Sequence, residues 1–254
     1  MSEKTSGAGV AGVLPSHLAR MYQDDTSWLE VMATHTPVFF QGFAELCSGV
    51  LADGAIPARI KELILGVVFA TQGNSEGAAI HIKNAYRAGV TVVEITEMIA
   101  ASALSRGAGV YMEGYKALLA AGVEERSPKT SGASEAMGKA VTVAEIVEYF
   151  DDYYGQSLPH IRVLADGGYN NVLKGYFTMR TEILRDAVFP RKYKEFLFIA
   201  INAADMFSDG VRVHAKGALD CGGTKEEILD AMMVAIMAGG VACWFNVANI
   251  YEEL

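Results

Sequence analysis

A single offset of 133 residues carries Pro57, Glu62, His81, Gly89, Thr91, Glu94 and Gly107 onto Pro190, Glu195, His214, Gly222, Thr224, Glu227 and Gly240. A proline, helix-stopping glycines, helix-starting threonines and two proton-carrying side chains keep the same phase, so the chain is a tandem duplication of one folding unit. Whatever fold it adopts must be built twice. The first repeat is expected over residues 16–121 and the second over 142–254, with a flexible tail at 1–15. A linker is expected at 122–141, where Gly, Ser and Thr dominate. Each unit, at about 110 residues, is long enough to bury a core of its own.

The periodicity within each unit is helical throughout, with none of the alternating β-branched runs that mark hairpins. Pro57 and Pro190 are expected in the first turn of two long apolar helices, where a missing N–H costs nothing. Asn74 or Ser75, and Ser208, offer oxygens to cap the helices that follow, and Gly89 and Gly222 stand where those helices should end in a left-handed turn. Thr91 with Glu94 and Thr224 with Glu227 have the spacing of capping boxes. The expected fold class is therefore all-α, two tandem helical-bundle repeats.

With 51% apolar and 20% charged residues the chain must bury a large core, and a net charge of −9 argues against nucleic acid or anionic lipid as partners. Three cysteines, Cys47, Cys221 and Cys243, without paired spacing read as reduced thiols, which suggests a cytoplasmic protein. Residues 231–251 carry no charge and approach membrane-spanning length, yet the matching stretch of the first repeat contains Arg106. A buried helix, not a membrane span, is expected there.

The repeated Glu and His carry the chemistry. Glu62 and Glu195 open long apolar helices, and a carboxyl held against such a face should have its pKa raised towards neutrality. An ion pair with Arg59 or Lys192, three residues earlier, is the structural alternative. His81 and His214 are flanked on their helix faces by Gly and Ala, which leaves room either for a ligand or for a neighbouring helix. One His and one or two carboxylates per repeat fall short of a catalytic zinc site, and no nucleophile elbow or phosphate loop is present, so neither a metal nor a cofactor is expected.

Glu, then 18 residues, then His, followed by Ala-Gly or Cys-Gly and a capping box, is a specific pattern. In RIKELILGVVFATQGNSEGAAIHIKNAYRAGVTVVEI and KEFLFIAINAADMFSDGVRVHAKGALDCGGTKEEI it closely resembles the carboxymuconolactone decarboxylase and AhpD-like superfamily. The resemblance implies an all-helical protein assembling as a homo-oligomer, here a trimer of tandem chains. Peroxidase members carry a Cys-x-x-Cys pair just before the histidine. Asn74 and Gly77, and Phe207 and Gly210, stand in those places, which removes the required thiolate.

What remains resembles the decarboxylases: a cofactor-independent acid–base lyase or lactone-type isomerase acting on a small organic acid. Glu62, His81, Glu195 and His214 are expected as its catalytic groups, with Glu76 and Asp209 orienting substrate or imidazole. A non-catalytic ligand-binding or scaffold protein is the alternative, and a thiol peroxidase relying on Cys221 or Cys243 a third.

Overall fold

The structure, a computed structural model, describes residues 14–123 and 141–254; most of the expected tail and of the expected linker lies outside them. Fourteen α-helices and no strand occur among the described residues, seven in each repeat. In the first, α1 (Ser16–Met21), α2 (Ser27–His35) and α3 (Pro37–Leu51) precede the central helix α4 (Ala58–Thr71). Then come α5 (Ser75–Arg87), α6 (Val92–Arg106) and α7 (Ala108–Ala120). The second repeat runs α8 (Val143–Tyr154), α9 (Pro159–Asp166), α10 (Asn170–Ile183), the central α11 (Arg191–Ala204), α12 (Ser208–Asp220), α13 (Lys225–Gly239) and α14 (Val241–Glu253). The starts of α4 to α7 recur at the 133-residue offset in α11 to α14.

Local signals explain these boundaries, with two corrections. Pro57 (φ −56°) and Pro190 (φ −52°) stand at the N-cap, one residue ahead of the first helical residue, and not within the first turn. There the absent N–H is harmless and the Pro57 carbonyl still accepts from Lys61 N at 3.1 Å. Asn74 caps α5 by accepting from Gly77 N at 2.9 Å. Ser208, by contrast, is the first residue of α12, and Phe207 at its N-cap supplies no side-chain acceptor. Both capping boxes are complete, at Thr91/Glu94 and at Thr224/Glu227. Gly240, at φ +75°, breaks the uncharged 231–251 stretch into α13 and α14. No described helix is long and apolar enough to cross a membrane.

The larger difference concerns the core. Instead of one core per repeat, a single apolar cluster runs through both, from Leu63, Ile64 and Val67 of α4 to Phe196, Leu197 and Ile201 of α11 and Ile228 and Val234 of α13. The physical reason is that α4 and α11, beyond their charged opening turns, are apolar almost all the way round, so one sheath of helices cannot cover them. A satellite core of Ile146, Phe150, Ile161 and Leu173 belongs to α8–α10 alone.

Two ion pairs lock the repeats together and obey the same offset. Lys61 Nζ on α4 meets Asp230 on α13 at 3.0 Å and the Ala52 carbonyl at 3.0 Å, while Asp230 accepts from Ile56 N at 2.8 Å. Lys194 Nζ on α11 meets Glu97 on α6 at 2.6 Å and the Arg185 carbonyl at 2.7 Å, while Glu97 accepts from Phe189 N at 3.0 Å. Each first-repeat partner maps onto its second-repeat counterpart by adding 133, so the contact is a pseudo-two-fold exchange. Both lysines are buried, and such charges are tolerable only because their hydrogen bonds are made.

Candidate active site

The α4–α5 hairpin brings Glu62 and His81 together, and the α11–α12 hairpin does the same for Glu195 and His214. Glu62 Oε2 lies 2.6 Å from His81 Nδ1, and Glu195 Oε2 lies 2.8 Å from His214 Nδ1. An ionised carboxylate can only accept, so Nδ1 carries the shared proton and each ring presents Nε2 as its second station. The small residues around the imidazoles serve close helix approach. A Cβ on Gly66 would lie 2.9 Å from Ile82 of α5, and one on Gly217 would lie 2.8 Å from the Glu195 carboxyl.

Beyond that shared pair the two sites differ. In the first, Asn84 Nδ2 donates to Glu62 Oε2 at 3.4 Å and to the Met21 carbonyl at 3.2 Å, tying α1 to the site. The His81 ring is stacked on Phe69 at 5.4 Å and meets the edge of Tyr22 at 6.0 Å. It is sealed in, with 1% of its side chain exposed, whereas Glu62 keeps 14% and lines a cleft of about 670 Å³. Arg20, Cys47, Ala58, Asn84 and Arg87 line the same cleft.

In the second site the exposure is reversed. Glu195 is 2% exposed and His214 20%, the latter stacked on Phe198 at 4.6 Å. Arg191, four residues before Glu195, places Nε at 3.0 Å and Nη2 at 2.8 Å from its Oε1. Nη2 also donates to the Tyr153 hydroxyl at 2.6 Å. Ala58 is the counterpart of Arg191, so the first repeat has no such clamp.

These contacts correct the expected pKa of Glu195. Burial alone pushes that carboxyl up, as the apolar face implies, but hydrogen bonds and charge from His214 and Arg191 outweigh it and hold the group below the ordinary glutamate value. The expected ion-pair partner also changes. Lys192 reaches Glu227 at 2.7 Å instead, leaving Glu195 to Arg191.

Glu76 and Asp209 are brought to neither imidazole. Both sit in the exposed first turns of α5 and α12; Asp209 pairs with Arg212 at 3.2 Å, and neither lines the cleft. Acidic residues in a first turn are favoured by the helix dipole whatever their function, which accounts for their recurrence. The thiols are poor nucleophiles: burial pushes Cys47 up to about 12 and raises Cys221 and Cys243. Sequence reasoning missed Asn84, Arg191, Tyr153 and the cleft arginines. The signal for Arg191 was its mismatch with Ala58 when the repeats are aligned.

Comparison with known proteins accords with this geometry. Among curated proteins none matches the chain. Among solved structures, a crystal structure from Burkholderia xenovorans, assigned provisionally as a gamma-carboxymuconolactone decarboxylase subunit, matches with a TM-score of 0.59 at 19% identity. That match covers 93% of this chain and 96% of the other and supports the fold. The model of the carboxymuconolactone decarboxylase family matches residues 37–121 and again 170–253, once in each repeat. The chain therefore belongs to the carboxymuconolactone decarboxylase family.

Proposed function

We propose that the chain is a cofactor-independent acid–base lyase acting on a small organic acid, and that the first repeat carries the reaction. The observation that supports this most is the pairing of Glu62 with His81 at the wall of an open cleft, against the closure of Glu195 by Arg191. In a decarboxylation the bond between the carboxylate carbon and its neighbour breaks, carbon dioxide leaves, and the electron pair passes to the neighbouring carbon or an attached carbonyl. In the protonated pair the His81 Nδ1 proton crosses to Glu62 Oε2, and Glu62, the group that faces the cleft, delivers it to this carbon; the carboxylate and neutral imidazole that remain take up a proton from water to close the cycle. An isomerisation uses the same pair in the opposite order, abstraction preceding delivery.

The test is carbon dioxide release or isomerisation over a panel of β-keto and lactone carboxylic acids. Glu62→Gln and His81→Gln should each lower kcat by about 10²- to 10⁴-fold with helical content intact, whereas His214→Gln should leave it within about threefold, well inside the range expected of a group outside the proton relay. Turnover that survives Glu62→Gln removes this pair from the reaction. The second repeat favours a scaffold reading of its own: a carboxylate already holding a guanidinium has little left to offer a substrate.

A further inference from the structure

The second repeat contains its own occupant, and the shape of that occupant describes what the first repeat lacks. The Arg191 guanidinium bridges Glu195 Oε1 and the Tyr153 hydroxyl. By the 133-residue offset, Glu195 corresponds to Glu62, Tyr153 to Arg20 and Arg191 to Ala58. The first repeat therefore has the two ends of this bridge without the group between them, and all three residues line the cleft. Among the described residues, Glu62 Oε1 has no hydrogen-bond partner and Arg20 bonds only the Ser16 carbonyl of its own helix. Arg87, at the end of α5, faces the same space and has no carboxylate partner among the described residues. The cleft also contains Asp53, but its Oδ1 takes the Ala58 N–H at 2.8 Å.

One end of the missing bridge can only accept a hydrogen bond, and the other can only donate. We infer that the first-repeat cleft binds an acid bearing a hydroxyl or amine, its carboxylate held by Arg20 and Arg87 and its donor set against Glu62 Oε1 where Arg191 meets Glu195. This rests on the reading that the first repeat is the working site, and it names the substrate class. A guanidinium matches a carboxylate with two parallel N–H donors, so the arginines fix orientation as well as charge. The donor end puts the reacting part of the acid beside the proton relay. Ala58 acts as the residue that keeps the cleft open, and Arg20 and Arg87 act as specificity determinants.

The experiment uses the full chain and four probes sharing one ring: mandelate, phenylglycine, phenylacetate and benzyl alcohol, followed by isothermal titration and saturation-transfer NMR. Mandelate or phenylglycine should bind at least tenfold more tightly than phenylacetate, the better of the two distinguishing hydroxyl from amine, and benzyl alcohol should not bind. Arg20→Gln with Arg87→Gln should weaken the acid at least tenfold. Ala58→Arg should abolish binding with circular dichroism unchanged, since the other repeat already accommodates an arginine there. Absence of binding by both donor-bearing acids, equal affinity for phenylacetate, indifference to the arginine changes, or wild-type binding by folded Ala58→Arg would each overturn the inference. If turnover is found and its KM is unchanged by the double arginine variant, the anchoring fails and the lyase reading stands. If arginine-dependent binding is measured but no acid is turned over, the site stands and the lyase reading fails.

Discussion

The two repeats share a Glu–His pair and treat it in opposite ways. In the first, the imidazole is buried and the carboxylate looks into a cleft; in the second, the carboxylate is buried under Arg191 and the imidazole reaches the surface. A shared hydrogen bond within a repeat is thus no measure of a shared role, because the groups on the outer edge of the carboxylate decide what it can still do. One substitution, Ala58 against Arg191, separates a carboxylate whose Oε1 has no partner among the described residues from one bound by a guanidinium.

The largest predicted contrast is catalytic. His81→Gln should cost about 10²- to 10⁴-fold in kcat where His214→Gln costs almost nothing; equal losses would erase the distinction between the sites. Next comes the interlock, where the repeats should behave alike. Lys61→Ala leaves Asp230 without its cation, and Lys194→Ala leaves Glu97 so, and each should lower unfolding free energy by about 3–5 kcal/mol in denaturant titrations. A loss from only one of them would show that the pseudo-two-fold is not energetic.

Arg191→Ala should destabilise by about 2 kcal/mol, the range of hydrogen bonds to a charged group. Its pH dependence has a definite sign. Because Glu195 is held below the ordinary glutamate value, it binds fewer protons folded than unfolded near that value, and its contribution is complete above it and lost as pH falls through the folded pKa. The stability gap between wild type and Arg191→Ala should therefore be widest at neutral pH and shrink in acid; a gap that grows in acid would reverse the assignment. Smallest is the cap difference. Asn74→Ala should cost about 1 kcal/mol by thermal denaturation, while Phe207→Ala, with no cap bond to lose, should stay within about 0.5 kcal/mol.

Much of this was legible in the sequence, because the decisive signals are local. The capping boxes, the glycines that end α5 and α12, and the recurrence of Glu and His on consecutive helices all depend on residues within about 20 positions of one another, whereas the 19-residue spacing permitted the Glu–His contact without requiring it. What stayed hidden joins distant segments. Lys194 finds Glu97 across 97 residues, and Arg191 reaches Tyr153 on a helix outside the family motif. Even there the offset held a clue: Lys61 and Lys194, and Glu97 and Asp230, are charged in both copies although the lysines interrupt apolar helices. The depressed pKa of Glu195 was out of reach because it depends on which of two adjacent cations, Arg191 or Lys192, turns inward.

The exchanged lysine–carboxylate contacts have an evolutionary reading. A chain carrying only residues 14–123 would uncover the apolar face of α4 and leave Lys61 and Glu97 without their partners, unless two such chains joined and restored the exchange. The second copy is therefore free to drift in its chemistry but not to disappear. Duplication here works as a ratchet, retaining a half whose indispensable duty is to complete its neighbour's foundation.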